Sequence, residues 1–132
     1  MNRYVIGPDV ALHLAAVEHR VPAGQQLLAP ALVRSQALAL AYGAVRRGEL
    51  TTAEAQRRMD GVRGLRMRLL GDRVLQRVAW QIAEELDLPD TLTAEYLALT
   101  RLQADAFVTL DPAVAEIARQ AVAVAAVEEL VG

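Results

Sequence analysis

The chain has 132 residues, a formal net charge of −2, and 54% hydrophobic but only 4% aromatic side chains. That length suits one domain, 1–132, with one core built mainly of Ala, Val and Leu, and the hydrophobic content excludes an intrinsically disordered chain. With no cysteine there is no disulfide framework and no thiolate metal site. The longest apolar run, Ala37 to Val45, ends at Arg46-Arg47, far short of a membrane span, and the start is too briefly apolar for a secretory signal. A cytoplasmic protein is expected, with no membrane partner.

Tyr4-Val5-Ile6 is a short β-rich run stopped by Gly7-Pro8, and apolar residues at 10, 11, 14, 15 and 17 then predict a helix opened by Asp9. Leu27-Leu28 reads as a brief strand, with Pro30 where a helix begins. That helix, about 31–47, is apolar nearly all round apart from Arg34-Ser35-Gln36, so deep burial is expected. Gly48 ends it. Thr51 and Glu54 form a capping-box pattern for a third helix to about Asp60.

Arg66 to Leu70 reads as a strand, and Asp72 caps an amphipathic helix through Leu86 with Val74, Leu75, Val78, Ala79 and Ile82 on one side. A helix over about 93–102 has Thr93 as its expected N-cap. The strand Ala106 to Thr109 follows, then Asp111-Pro112 as a helix start and Val122 to Val124 as an edge strand. Short apolar strands alternating with helices imply a three-layer α/β/α sandwich with a short parallel sheet. The ligand site of such a sheet lies beyond the strand C-termini, which singles out the loops after Ile6, Leu28 and Thr109.

Charge is unevenly placed. All 14 basic residues are arginine; residues 46–77 carry a local +5 and residues 78–132 a local −8. Solvated helix faces account for such runs, and so would a basic flank for a phosphate backbone or an acidic partner.

Taken in order, Tyr4-Val5-Ile6, Ala29-Pro30-Ala31-Leu32-Val33-Arg34-Ser35-Gln36, Arg46-Arg47-Gly48-Glu49-Leu50-Thr51, Thr93-Ala94-Glu95-Tyr96-Leu97-Ala98-Leu99 and Phe107-Val108-Thr109-Leu110-Asp111 resemble the PIN domains of VapC-type toxin ribonucleases over nearly the whole chain. The resemblance implies a PIN-like fold, a homodimer, an antitoxin-like small protein or RNA as partner, and four acidic positions that hold Mg²⁺ or Mn²⁺ for phosphodiester cleavage. The first acid, two residues before a Ser or Thr, corresponds to Gly7, with Asp9 at the Ser/Thr position. The second corresponds to Gln36, the third to Thr93, and only the fourth, Asp111, is acidic.

Asp9 and Asp111 are therefore the residual catalytic and metal candidates, with Asp9 brought toward the site if the backbone there is extended. Asp90 is a further substitute, whereas Glu95 is turned about 200° from Thr93 on a helix. Structural roles are also open to these residues: capping for Asp111 and Asp9, and a buried hydrogen bond for Gln36. His13 and His19 are read as bystanders, with His19 in a loop, and Trp80 and Tyr96 as core or interface area. The expectation is a weak or inactive metal-dependent ribonuclease, binding Mg²⁺ or Mn²⁺ weakly or no metal at all. The alternative is an active Mg²⁺/Mn²⁺ endoribonuclease toxin with a reduced acidic site; helix-turn-helix DNA binding by residues 38–60 is a third reading.

Overall fold

The computed structural model describes residues 2–17 and 20–131, so His19 lies outside the described residues. Twelve elements follow one another: β1 (Asn2–Ile6), α1 (Pro8–Ala16), β2 (Gln25–Pro30), α2 (Val33–Arg46), α3 (Thr52–Gly64), β3 (Met67–Leu70), α4 (Arg73–Glu85), α5 (Leu92–Gln103), β4 (Ala106–Val108), α6 (Pro112–Arg119), β5 (Val124–Ala125) and α7 (Glu128–Val131). The strands form one sheet in the order β3-β2-β1-β4-β5, and every pairing is parallel.

Strand side chains alternate between faces, and each face is apolar. Val5, Leu28 and Phe107 pack under α4, α5 and α6. Tyr4, Ile6, Leu27, Ala106 and Val108 pack under α1, the Val62 end of α3, and α7. Two apolar faces on short parallel strands require helices on both sides, which makes the fold a three-layer α/β/α sandwich. Among the described residues no helix is long and apolar enough to cross a membrane.

Several boundaries follow the local signals. Thr51 and Glu54 close a reciprocal capping box on α3, and Asp72 accepts from the Leu75 N–H at the start of α4. Gly48, with φ of +76°, follows α2 in the left-handed conformation that favours glycine.

Other boundaries differ. Pro30 is the last residue of β2, paired with Leu70, so α2 starts later than its proline suggests. The last strand lies at Val124–Ala125 rather than 122–124.

The largest correction concerns α2, which is not deeply buried. Only Val33, Ala37 and Ala41, spaced by four, are fully covered, while Leu38 is 58% and Tyr42 65% exposed. Val33 joins the core over the sheet, and from there on the helix rides on other helices: Ala37 and Ala41 pack against Ala55 and Met59 of α3 and Leu12 of α1. Ala55, Met59 and Val62 of α3 are likewise buried, so that helix is held against the body of the protein. Trp80, on the outer side of α4, is 64% exposed and belongs to no core.

α1 and α3 approach closely at Gly61, where an added Cβ would come within 2.8 Å of the Ala15 Cβ and 3.3 Å of its Cα. Those atoms cannot move without the backbone. Overpacking of this kind costs about 1–3 kcal/mol, against about 1 kcal/mol gained from replacing a helical glycine. Gly61→Ala is therefore expected to lower the urea midpoint, with a net loss of about 1 kcal/mol; an unchanged or raised midpoint would show that the two helices separate freely.

Candidate functional site at the strand ends

Strand order sets the place of the site. From β1 the chain builds outward through β2 to β3, then returns to the other side of β1 with β4 and β5. Strand order thus reverses between β1 and β4, where the flanking loops part and leave a crevice at the strand C-termini.

The crevice encloses about 210 Å³, and its lining includes Gly7, Pro8, Asp9, Gln36, Leu40, Thr93, Tyr96, Phe107, Thr109, Asp111 and Val114. Positions 7, 36, 93 and 111, scattered along the chain, converge there together with Asp9. Asp90 does not join them. Its carboxylate accepts from the Leu92 N–H at 2.9 Å at the start of α5. The N-cap of α5 is Thr91, so Thr93 lies inside the helix and is not its cap. His13 and Glu95 also lie outside this lining.

Asp9 reaches the crevice by an unexpected route. Its backbone is already helical, so strand alternation is not what brings it there. Gly7, the N-cap of α1, carries no side chain to cap the helix, and Asp9 Oδ1 instead accepts from the Val10 N–H at 2.8 Å. Oδ2 accepts from the Leu110 N–H at 2.9 Å and from the Thr109 hydroxyl at 3.0 Å. The same hydroxyl accepts from the Asp111 N–H at 3.2 Å. Asp9 thereby ties the start of α1 to the β4–α6 turn.

This arrangement depends on glycine at position 7. A Cβ built there would meet Asp9 Oδ1 at 2.7 Å. The φ of Gly7 is −74°, open to any residue, so space and not backbone conformation is the constraint.

Asp111 Oδ1 caps α6, accepting from the Ala113 and Val114 N–H groups at 2.8 and 3.3 Å. Gln36 finds the partner that an amide in an apolar setting needs: the Tyr96 hydroxyl donates to Gln36 Oε1 at 2.5 Å. Burial, then the negative charges of Asp9 and Glu95, raise the Tyr96 pKa, keeping its hydroxyl protonated as that donor. Burial also raises the Glu95 pKa.

Sequence reasoning passed over Tyr96 and Thr109 as parts of this network. Tyr96 is three residues from Thr93 on one helix, a spacing that shares a face, and that signal was present in the sequence.

The crevice offers few free donors for a divalent ion. Among the described residues no three His, Asp or Glu side chains gather as a ligand set. Both Asp9 oxygens, one Asp111 oxygen and the Gln36 carbonyl already accept hydrogen bonds. No basic side chain lines the crevice, which keeps two carboxylates and an apolar wall of Leu40, Phe107 and Val114.

No family model matches this chain, and no curated protein does. Among solved structures it is similar to the crystal structure of PAE2754 from Pyrobaculum aerophilum, with a TM-score of 0.72 and 21% identity over 98% of this chain and 94% of that one. At that identity the likeness is one of fold.

Tyr96 provides a test of the network. Its folded pKa is raised above the unfolded value of about 10, so its contribution is fully present below that value. It is lost as pH rises toward the folded pKa, because the unfolded chain releases the proton first. Tyr96→Phe should cost about 1 kcal/mol in urea denaturation at pH 8, where the Gln36 bond is lost. The gap between wild type and variant should shrink above about pH 10; a gap that is constant with pH would refute a protonated Tyr96 donor.

Proposed function

We propose that this chain is a VapC-like PIN-domain protein whose nuclease centre has given way to a hydrogen-bonded latch, and which is retained for binding a partner. The convergence of Gly7, Gln36, Thr93 and Asp111 on one crevice at the strand-order reversal carries this reading. The motif resemblance assigns acids to those four positions, and they form one neighbourhood despite their separation in sequence.

Loss of three acids removes three formal charges, and Asp9 returns one that the latch consumes. Two-ion hydrolysis needs several free carboxylate oxygens around the scissile phosphate. Without cations the two carboxylates repel phosphate, which favours a protein partner over RNA at the crevice itself.

The surface supplies a place for such a partner. Residues 35–45 carry no charge, and Leu38, Tyr42 and Val45 line a groove with Met59 and the paired Asp60 and Arg63 of α3. Exposed Arg46 and Arg57 flank it. The apolar face of an amphipathic segment, as in a short antitoxin-like protein, would suit that groove. Self-association as a homodimer belongs to the same reading.

The alternative, an active Mg²⁺ or Mn²⁺ endoribonuclease, rests on the second carboxylate oxygen of Asp111, which no described hydrogen bond occupies. Calorimetric Mn²⁺ titration separates the two. Wild type should show no saturable binding and no cleavage of a mixed RNA pool. Restoring acids requires relieving the Gly7 crowding, so the informative variant is Gly7→Asp, Asp9→Ser, Gln36→Glu and Thr93→Asp together. It should gain Mn²⁺ binding while remaining folded by circular dichroism. Tight Mn²⁺ binding by wild type, with RNA cleavage abolished in Asp111→Asn, would overturn the latch reading.

A further inference from the structure

We propose that α4 is the self-association surface of this protein, pairing antiparallel with α4 of a second copy through Arg73, Arg77, Trp80 and Glu84. The proposal rests on the self-association part of the reading above and names where it occurs.

All four residues are exposed. At 3.6 residues per turn they fall within about 60° of arc, on the side opposite buried Leu75, Ala79 and Ile82. Their spacing of four, three and four is that of a helix–helix seam. Trp80, 64% exposed between the arginines and the glutamate, offers apolar area at the centre of this seam.

The order of charges is also wrong for the helix alone. Arg73 stands at the positive N-terminal end and Glu84 near the negative C-terminal end, both opposed to the helix dipole. Arg73 and Arg77 repel one another at i, i+4. Among the described residues neither arginine nor Glu84 forms an ion pair.

A two-fold axis beside the midpoint between residues 78 and 79 resolves each of these features. It sets Arg73 opposite Glu84 of the second copy and Arg77 opposite its Trp80, each contact made twice. Antiparallel packing also opposes the two helix dipoles, and guanidinium on indole is a favourable pairing at a partly desolvated contact. The pattern is isologous: the same patch complements itself, as a closed dimer requires. One helix per protomer covers less than the roughly 800 Å² per partner of a standard interface, so the dimer is weak and concentration-dependent.

Sedimentation velocity across a concentration series tests this, with circular dichroism to confirm that each variant folds. Wild type should dimerise reversibly in the micromolar range. Arg73→Glu and Glu84→Arg, each placing like charges in register twice, should weaken the dimer about tenfold or more. Combined, Arg73→Glu/Glu84→Arg should recover affinity to within about threefold of wild type, since the pairs re-form with reversed sign. Trp80→Ala should weaken it about tenfold. A wild-type dimer indifferent to all of these overturns the α4 assignment while leaving self-association standing. A wild type that stays monomeric at high concentration removes both, and leaves the reading of the crevice as a metal-free latch to be judged by the Mn²⁺ titration.

Discussion

Two groups compete for one small volume at the end of β1. The first atom of a side chain at position 7 would lie 2.7 Å from Asp9 Oδ1, so a side chain there requires the Asp9 carboxylate to turn aside. Glycine concedes the space, and Asp9 folds back to collect the Val10 N–H, the Leu110 N–H and the Thr109 hydroxyl. Hydrogen bonds to a charged acceptor contribute about 1.5–3 kcal/mol each. The latch is therefore comparable in strength to the forces that hold a local element in place, and it takes up three of the roughly four acceptor sites of this carboxylate. The rest of the crevice follows: Thr109 is oriented between Asp9 and the Asp111 N–H, which sets the turn from which Asp111 caps α6.

A negative crevice that has satisfied its own acids behaves differently from one that needs metal. A nuclease keeps carboxylates close and underpaired, so that ions are held to relieve their repulsion. Here the repulsion is relieved by protein N–H and O–H groups, and the second polar position, Gln36, is neutral and bonded to Tyr96. The wall beyond them is apolar. What is left is a shaped, hydrogen-bonded pocket at the C-terminal ends of a parallel sheet.

Much of this fold was legible because its signals are local. Gly48, the Thr51–Glu54 box, Asp72 and Asp111-Pro112 mark helix ends through chemistry contained within four residues. Strand–helix alternation fixed the layer type, and the motif order located positions 7, 36, 93 and 111. What escaped was set by tertiary partners. The composition of α2 says only that water is unfavourable around it, not which neighbour excludes the water, and in a lone chain a stripe of three residues is all that the body of the protein covers. Pro30 could end a strand as readily as start a helix, and pairing with Leu70 decided it. The Gln36–Tyr96 bond spans sixty residues. Asp9 was assigned to the crevice on the premise of an extended backbone, whereas a helical first turn beside an empty Cβ site brings it there.

Two exposed apolar features, on α2 and on α4, differ in electrostatic character. The surface of α2 is uncharged over eleven residues and rimmed by arginine, so it distinguishes partners by their acidity and cannot complement a second copy of itself without setting arginines against arginines. The surface of α4 holds the crossing point of the whole chain's charge distribution: the arginine-rich stretch ends at Arg77 and the acidic stretch begins at Glu84. A helix that changes sign at its middle complements its own two-fold image, and a helix of constant sign does not. The asymmetry between residues 46–77 and 78–132 changes sign within α4. One helix straddles it, and that is the charge pattern which the proposed pairing of α4 with a second copy requires.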